Sequence, residues 1–384
     1  AERIGWEVPM YYDKGGEEWV DDPSLRWKPW SDRVRDECLA ARDATVLLDQ
    51  SMYAKLLVQG PDAVHALNKV CSAQLDIAVG TSVYTPFINA NGGIEADVTV
   101  TRLQNDQFLV VTGHPSQLRD QYWIRAHAAA NWRFEVFDAT SAYALFTVHG
   151  PNSRALLQSL SNDDLSNTAL PFGAAREVDL GHARARLIRR SFLGELGYEI
   201  LVSTEFCQGI YDELFKFGEA QGLVHMGMFA MNACRLEKGF RHFGHDIGED
   251  DTPYEAGLGF AVDLDKHELM GRERLVAQSA SGLSALTDRL ACIRVPGLTA
   301  EQGPYLIHNE PMWRDGAIVG HVTSGDWGWR TGSMVGIAAL SLANGVSLQW
   351  LEAGDFSVQI AGEFYPCDVQ FKPFYDPRGE RMRG

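Results

Sequence analysis

Two spacings of apolar residues divide the first two thirds of the chain into short strands and helices. Apolar and β-branched residues that alternate or run together predict strands at 46–49, 54–58, 98–100, 107–111, 132–137, 143–148, 184–190 and 198–202. Apolar residues at helical spacing predict helices at 31–42, 63–70, 115–130, 204–220 and 226–240. Ser31 and Asp62 stand where the first two helices would be capped.

A strand followed by Gly-Pro and a helix occurs twice. The segments LLVQGPDAVHAL at 56–67 and LFTVHGPNSRALL at 145–157 both place an apolar strand before a Gly-Pro-Asp or Gly-Pro-Asn turn and a helix. Internal similarity of this kind is typical of repeated supersecondary units. It predicts two structurally related modules.

The pattern changes near residue 286. The segment AQSASGLSAL at 277–286 is rich in small and polar residues and predicts a linker. Beyond it, four segments separated by glycine-containing turns predict strands, namely RLACIRV, GAIVGHVTS, GVSLQW and FSVQIAG. We therefore expect a small β-rich C-terminal domain.

Composition and charge restrict the class of protein. A chain of 384 residues with 45% hydrophobic and 22% charged residues is typical of two or three globular domains. The formal net charge of −17 argues against nucleic acid or an anionic membrane surface as partner, since both require a basic surface. The sequence shows neither a membrane-length apolar run nor a secretory signal, so we expect a cytoplasmic protein.

Two further features concern partners and redox state. Aromatic residues and prolines concentrate in residues 1–30, which predicts an irregular arm packed over a partner surface. The six cysteines are widely scattered without a CxxC pair, which predicts reduced thiols and neither a zinc site nor a disulfide framework.

Signatures of common cofactor sites and hydrolases are missing. The sequence contains no GxGxxG after a strand, no GxxxxGK[ST] and no GxSxG. His242, His245 and Asp246 have a spacing that metal ligands can adopt, but they lie in an acidic loop. Because that spacing alone is weak support for a metal, we expect none.

Isolated carboxylates beside glycines are the remaining candidates for chemistry. Asp97 follows Gly92-Gly93 and leads into the alternating segment at 98–100, so it is either delivered into a strand by a tight turn or lies at the tip of a surface hairpin. Glu195 and Glu199 lie in the segment GELGYE. An ionised acid in such a place can orient a heterocycle that carries N–H groups, since its oxygens accept hydrogen bonds.

Other candidate residues have a structural alternative. Tyr53, Tyr84, Tyr198 and Trp327 could stack against a flat ring, or they could be ordinary core residues. Arg235 lies in the apolar helix predicted at 226–240, where a buried charge must be paired. It either serves a binding site or makes a structural pair with Glu237 or a backbone carbonyl.

Motifs along nearly the whole chain resemble the aminomethyltransferase family, whose prototype is the T-protein of the glycine cleavage system. They are GWEVP, GPDA, NANGGIEADVTV, SFLGELGYEI, RLEKGFRHFGHDIGEDDTPYEAGL, IVGHVTSGDWG and PFYDPRGERMR. The similarity is greater still to the folate-binding C-terminal portion of dimethylglycine and sarcosine dehydrogenases and oxidases.

The resemblance implies an α+β fold, a three-domain cloverleaf around a central channel that binds tetrahydrofolate. Its expected divisions are 1–58 with 141–245 for the first domain, 59–140 with 246–281 for the second, and a β-barrel-like third domain at 282–384. The first two domains would be interleaved in sequence and related in fold, as the internal similarity suggests.

The resemblance also assigns roles residue by residue. Asp97 matches the family's catalytic aspartate and Glu199 the glutamate that holds the pterin ring. Tyr53 and Tyr84 fall where the T-protein has apolar side chains near the folate. Met231 stands where the T-protein carries an arginine, and Arg235 matches a second arginine; the loss at Met231 argues against a lipoyl carrier protein as partner.

The implied function is tetrahydrofolate-dependent methylene transfer from a donor derived from an N-methyl amine. Asp97 would orient folate and assist removal of the proton on N10. Two alternatives stay open: a folate-dependent demethylase of a quaternary amine, sulfonium or methoxy donor, and a non-catalytic folate-binding subunit. The implied partners are a small-molecule one-carbon donor and a flavin amine oxidoreductase, as a separate protein or a parent chain.

Overall fold

A computed structural model of the chain describes residues 1–13, 15 and 25–384. The part of the predicted N-terminal arm at 14 and 16–24 lies outside these residues. The strands of the described residues are, in chain order, β1 (Glu2–Arg3), β2 (Trp6–Glu7), β3 (Thr45–Asp49), β4 (Ala54–Gln59), β5 (Ser82–Ile88), β6 (Ile94–Gln104), β7 (Gln107–Thr112), β8 (Glu135–Asp138), β9 (Tyr143–His149), β10 (Ala175–Leu180), β11 (Ala183–Ile188), β12 (Gly197–Ser203), β13 (Leu223–His225), β14 (Asp288–Val295), β15 (Pro311–Arg314), β16 (Ala317–Gly328), β17 (Ser333–Ser341), β18 (Phe356–Ile360), β19 (Glu363–Pro366) and β20 (Asp368–Gln370).

Helices connect these strands. The α-helices of the described residues are α1 (Ser31–Asp43), α2 (Ala63–Val70), α3 (Gln117–Ala126), α4 (Ser153–Ser159), α5 (Cys207–Gly218), α6 (Met228–Glu237), α7 (Arg272–Ser281), α8 (Leu348–Glu352) and α9 (Glu380–Arg383). None of the helices in the described ranges combines the length and the apolar composition that crossing a membrane requires.

The two predicted modules share one strand order. The second sheet has the order β5-β6-β7-β4-β8, and the first sheet has the order β10-β11-β12-β9-β3, extended by β13 along β3. Strand β4 lies between β7 and β8 in the second sheet, and β9 lies between β12 and β3 in the first. Each of these two strands is followed by a Gly-Pro turn and a helix. The predicted internal similarity is therefore confirmed, with one difference: β8 follows β4 in the chain, whereas β3 precedes β9.

Both Gly-Pro turns depend on glycine for the same reason. Gly60 has a φ of +133° and Gly150 a φ of +119°, a region that L residues rarely adopt. A β-carbon at Gly60 would lie 2.5 Å from the carbonyl oxygen of Arg133, and one at Gly150 would lie 2.3 Å from that of Ala44. In each module the turn therefore packs directly onto the backbone just before the fifth strand.

The two sheets face each other with helices α2 to α5 on their outer faces, whereas α1 and α6 pack against Val46 and Leu48 on the opposite face of β3. Helices α2 and α3 cover the outer face of the second sheet, and α4 and α5 cover the outer face of the first. The inner faces meet through apolar side chains, which include Leu57, Leu103, Leu109, Leu145, Ile188 and Leu201.

The C-terminal domain is a seven-stranded antiparallel sheet in the order β19-β18-β15-β16-β17-β14-β20. Its core includes Ile293, Met312, Val322, Met334 and Val358. The predicted β-rich C-terminal domain is confirmed.

Buried ion pairs join this domain to the first. Arg330, in the turn between β16 and β17, donates to Glu195 at 2.7 Å and to Glu237 at 2.6 Å. The other oxygen of Glu195 accepts from Arg381 near the C-terminus at 2.7 Å. Since Glu195 is 1% exposed, the first acid of the GELGYE segment is a structural residue.

Several local predictions are wrong. The segment GVSLQW contains the start of α8 instead of a strand, because the Ser347 side chain accepts a hydrogen bond from the backbone N–H of Trp350 and caps the helix. The first part of the predicted linker at 277–286 belongs to α7, whose Leu275 is buried in the core. Ser31 is the first residue of α1 rather than its cap, and its hydroxyl accepts from the backbone N–H of Lys28.

The pairing of strands favours one change to the proposed domain division. Strand β4 pairs with β7 and β8 in the second sheet, although the expected division places residues 54–58 in the first domain. Sheet membership therefore favours a boundary between Asp49 and Ala54. The boundary proposed at 140/141 falls between β8 and β9.

Candidate functional site

Asp97 lies within a strand, on the inner face of the second sheet. It is the fourth residue of β6, and its neighbours Ala96 and Val98 point into the core beneath the helices. Because side chains alternate along a strand, Asp97 faces the first sheet. The turn before β6 is held by the Asn89 side chain, whose oxygen accepts from the backbone N–H groups of Asn91 and Gly93 at 2.9 Å each. The alternative of a surface hairpin tip is wrong.

Tyr84 and Asp97 form a hydrogen-bonded pair. The Tyr84 hydroxyl, from the neighbouring strand β5, donates to the carboxylate. Burial raises the pKa of Asp97 to about 7, and the charges of Asp120 and Asp246 act in the same direction. Burial also raises the pKa of Tyr84 well above its usual range, so this phenol remains a donor. An acid with a pKa near neutrality can take up and release a proton at physiological pH.

Glu199 lies on the inner face of the first sheet. It belongs to β12, whose residues Tyr198 and Ile200 point into the helix-covered core. Its Oε2 atom is buried and has no hydrogen-bond partner within the described residues. Burial raises the pKa of Glu199, and the charge of Arg190 opposes this effect.

The pKa of Tyr53 is affected by both acids. Burial first, and then the charges of Asp97 and Glu199, raise the pKa of its hydroxyl to about 12, while Arg3 acts in the opposite direction. Both carboxylates therefore lie close enough to Tyr53 to act on it. The structure brings four predicted site residues, Tyr53, Tyr84, Asp97 and Glu199, to the space between the two sheets.

Phe260 adds an exposed ring next to this group. It lies in a single turn of 3₁₀ helix at Gly259–Ala261, stacks on Tyr84 at a ring-centroid distance of 6.2 Å and is 78% exposed. A large apolar side chain so exposed beside a polar pair offers a surface on which a flat ligand ring can pack.

Two predicted ligand-stacking residues lie elsewhere. Tyr198 is 0% exposed, and its hydroxyl accepts from Arg154 at 2.9 Å on the helix side of the first sheet. Trp327 is 6% exposed and packs in the core of the C-terminal domain. Both rings are core residues, so the structure does not support a direct contact with a ligand ring.

Arg235 has a structural role in a buried network. Its guanidinium donates to Asp246 at 2.5 Å, to Ser324 at 3.0 Å and to the carbonyl of Phe240 at 3.0 Å. The expected contact with a backbone carbonyl is present, whereas Glu237 pairs with Arg330 instead of Arg235. Since Arg235 is 3% exposed and its partners are protein atoms, the structure does not place it as a direct ligand contact.

His242 and His245 lie close together in the loop that follows α6. The rings of His242 and His245 are 4.6 Å apart, and Asp246 is already engaged by Arg235 and Thr323. Throughout the part of the chain that the structure describes, no group of three or more His, Cys, Asp or Glu side chains is arranged to hold a metal ion.

Two cavities lie away from the paired acids. One of about 620 Å³ is lined by the first Gly-Pro turn and residues around Trp132 and Arg133. A second of about 220 Å³ lies between the sheets, and its walls include Leu57, Leu103 and Arg186. Neither lining includes Asp97 or Glu199.

Sequence reasoning missed Arg190 and Phe260. Arg190 follows β11, and its Nε donates to the hydroxyl of Ser82 at 2.8 Å. The only signal in the sequence was a strand that ends in two arginines shortly before GELGYE. Phe260 had no signal, because its proximity to Tyr84 depends on a contact between distant segments.

The architecture defines the class of protein first. The chain superposes on the crystal structure of the glycine cleavage system aminomethyltransferase T from Bartonella henselae with a TM-score of 0.80, over 98% of this chain and 94% of that one, at 22% identity. This likeness shows the α+β fold of the T-protein.

The family follows from sequence matches. Residues 1–266 match the GCVT N-terminal domain, and residues 293–376 match the glycine cleavage T-protein C-terminal barrel domain. The chain is 30% identical to the aminomethyltransferase of Halothermothrix orenii, over 84% of this chain and 82% of that protein. It belongs to the glycine cleavage T-protein family of folate-dependent aminomethyltransferase-type proteins.

Other relatives are longer than this chain. It is 39% identical to 4-methylaminobutanoate oxidase (formaldehyde-forming) of Paenarthrobacter nicotinovorans and 31% identical to human mitochondrial sarcosine dehydrogenase. Each match covers 100% of this chain and 45% of the relative, so the chain spans about half the length of these proteins.

Proposed function

We propose that the chain is a tetrahydrofolate-dependent one-carbon transferase that receives a methylene unit derived from an N-methyl amine. The observation that carries the proposal is that the facing sheets carry one acid each on their inner faces, Asp97 on β6 and Glu199 on β12, and that the charges of both act on Tyr53. The family resemblance matches these two acids to the positions that serve catalysis and hold the pterin in the T-protein.

The residues present fit tetrahydrofolate. The buried Oε2 of Glu199 is an acceptor without a donor among the described residues, as expected of an atom that receives N–H groups from a ligand. Phe260 and Tyr84 supply an aromatic surface beside Asp97. When bound, tetrahydrofolate supplies the two nitrogens that accept the one-carbon unit.

Asp97 would manage the proton that methylene transfer releases. Its pKa of about 7 makes the carboxylate basic enough to accept that proton while it remains largely ionised at slightly alkaline pH. The hydrogen bond from Tyr84 fixes the carboxylate, and Tyr84 stays protonated. Glu199, on the opposite sheet, would keep the ligand in register with Asp97.

The donor class is proposed from the relatives. The names of two of them concern N-methyl compounds, 4-methylaminobutanoate and sarcosine, and one is called formaldehyde-forming. We infer that this chain takes the one-carbon unit from such an oxidation, carried out by a flavin amine oxidoreductase that is either a partner or another part of the same polypeptide. Met231, buried at the position of a T-protein arginine, fits a donor other than a lipoyl carrier protein.

The proposal is tested by identifying the folate product. The protein is incubated with tetrahydrofolate and either ¹³C-formaldehyde or a panel of N-¹³C-methyl amines, and the labelled folate is identified by mass spectrometry. Formaldehyde and tetrahydrofolate also condense without an enzyme, so the quantity compared is the rate above that background. Asp97→Asn should lose this excess rate, and Asp106→Asn, in the exposed turn after β6, should keep it.

Each outcome discriminates between functions. Methylene-tetrahydrofolate formed faster than background supports the proposal. Methyl-tetrahydrofolate formed from a methylated donor would instead establish the demethylase. Binding of folate without any acceleration would leave the non-catalytic subunit, and the absence of folate binding would overturn the proposal as a whole.

A further inference from the structure

We propose that Arg190 is a positioning residue that presents a fixed positive charge to the carboxylate of Glu199, the group that would receive hydrogen bonds from folate. This inference rests on the proposed function, because it assumes that Glu199 accepts hydrogen bonds from the ligand.

Arg190 is brought to Glu199 by strand register. Ile188, the last residue of β11, pairs with Glu199 on β12, and Arg190 leaves the strand two residues later. Its neighbour Arg189 turns away and donates to the carbonyl of Met382 at 2.8 Å. Adjacent arginines therefore have different roles, one at the C-terminal segment and one on the face of the sheet that carries Glu199.

The other sheet fixes the Arg190 side chain. Its Nε donates to the hydroxyl of Ser82 at 2.8 Å, and the same hydroxyl accepts from Thr101 at 2.9 Å. Ser82 is itself held by a 2.7 Å hydrogen bond from its backbone N–H to the carbonyl of Gly173. A guanidinium anchored on one side by a rigid strand can hold its charge in one place on the other.

The groups around Glu199 explain why the charge of Arg190 matters. Burial disfavours the ionised carboxylate, and Arg190 is the cation among the described residues that acts against this effect. Tyr53 is a neutral phenol, because burial raises its pKa to about 12. His149, which pairs with Gly197 on the adjacent strand, is neutral because burial lowers its pKa to about 3.

Removing the positive charge of Arg190 should weaken folate binding in a way that depends on pH. Without Arg190 the pKa of Glu199 rises further, so a larger fraction of the carboxyl is protonated at neutral pH and loses acceptor capacity. Folate affinity should then fall at neutral pH and recover as the pH increases. A loss of packing alone would weaken binding equally at every pH.

The experiment measures the dissociation constant of 5-formyl-tetrahydrofolate, a stable folate, from pH 5.5 to 9. It uses the Asp97→Asn protein as the reference, so that the titration of Asp97 does not contribute. Arg190→Met in this background should weaken binding at pH 7 by up to about tenfold for each unit by which the pKa of Glu199 rises, with the loss shrinking at higher pH.

Two matched variants separate charge from packing. Arg190→Lys keeps the charge and should retain the reference pH profile. Ser82→Ala removes the anchor but not the charge, and should change affinity without moving the midpoint by more than about 0.3 pH units. Thermal unfolding establishes that each variant is folded before its affinity is compared.

The outcomes distinguish the two proposals. A shift of the midpoint to higher pH in Arg190→Met alone supports the inference. An unshifted midpoint in Arg190→Met, or an equal shift in Ser82→Ala, overturns it while leaving the proposed function intact. If the reference protein and the unsubstituted protein bind no folate, the proposed function itself fails.

Discussion

Replacing Asp97 with asparagine should slow one-carbon transfer strongly and at the same time stabilise the folded protein. Asparagine is nearly isosteric and can still accept the hydrogen bond from Tyr84, so folate affinity should change by less than about threefold. It cannot take up a proton, and general-base assistance typically contributes about 10² to 10⁴ in rate. The expected increase in the barrier is therefore about 3 to 5 kcal/mol.

The stability effect follows from the same pKa. The carboxyl of Asp97 is raised from its ordinary value of 3.8 to about 7, so the folded state retains a proton over a range in which the unfolded chain has lost it. A folded-state pKa above the unfolded value gives stability that is present at acidic pH and lost as the pH rises through about 7. The ionised group should therefore cost about 2 to 4 kcal/mol at pH 8, which asparagine would not.

Three measurements check this reasoning. Single-turnover rates across pH 5.5 to 9 should rise to a plateau above about pH 7 in the unsubstituted protein and be low and flat in Asp97→Asn. The folate dissociation constants of the two proteins should differ by less than about threefold. Denaturant unfolding should show that Asp97→Asn is more stable than the unsubstituted protein at pH 8 but not at pH 4. Asp106→Asn should change none of these quantities.

The reasoning would be refuted by particular results. Equal single-turnover rates for Asp97→Asn and the unsubstituted protein would remove Asp97 from the proton transfer. A large loss of folate affinity would show that the ionised carboxylate binds the ligand instead. No gain in stability at pH 8 would show that burial does not raise its pKa.

Three further substitutions test other parts of the structure. Glu199→Gln should weaken folate binding about 10- to 100-fold in equilibrium titrations, since a charge-assisted hydrogen bond contributes about 1.5 to 3 kcal/mol. Arg330→Met should lower the free energy of unfolding by about 3 to 5 kcal/mol, because the buried carboxylate of Glu237 loses its cation and that of Glu195 keeps only Arg381. Gly150→Ala should lower the melting temperature, since a β-carbon would lie 2.3 Å from a carbonyl oxygen.

Matched control substitutions test whether these effects come from burial and close packing. Arg294→Met removes an exposed partner of Asp368 and should cost at most about 1 kcal/mol. Gly316 has a φ of +80°, but a β-carbon there would meet no atom within 4 Å, so Gly316→Ala tests backbone strain without a clash. Gly150→Ala should destabilise the protein more than Gly316→Ala does. Equal effects would contradict the role of close packing at Gly150.

The sequence by itself determined the features that depend on local patterning. The repeated Gly-Pro turns, the alternation in the C-terminal domain and the strand that follows Gly92-Gly93 could all be predicted, because each depends on backbone preferences and side-chain spacing. Alternation also fixed that Tyr198 and Glu199 must point to opposite faces of one strand. Only the family resemblance gave Asp97 and Glu199 their roles.

Tertiary structure decided which face of a strand is covered by the core and which charged side chains form pairs. It buried Tyr198 in a core and left Glu199 in the space between the sheets, and it paired Arg235 with Asp246 where the sequence suggested Glu237. It also set Arg190 two residues beyond Ile188, the strand partner of Glu199. These outcomes depend on contacts between segments far apart in the chain, and a residue's local pattern carries no information about the partner that will reach it.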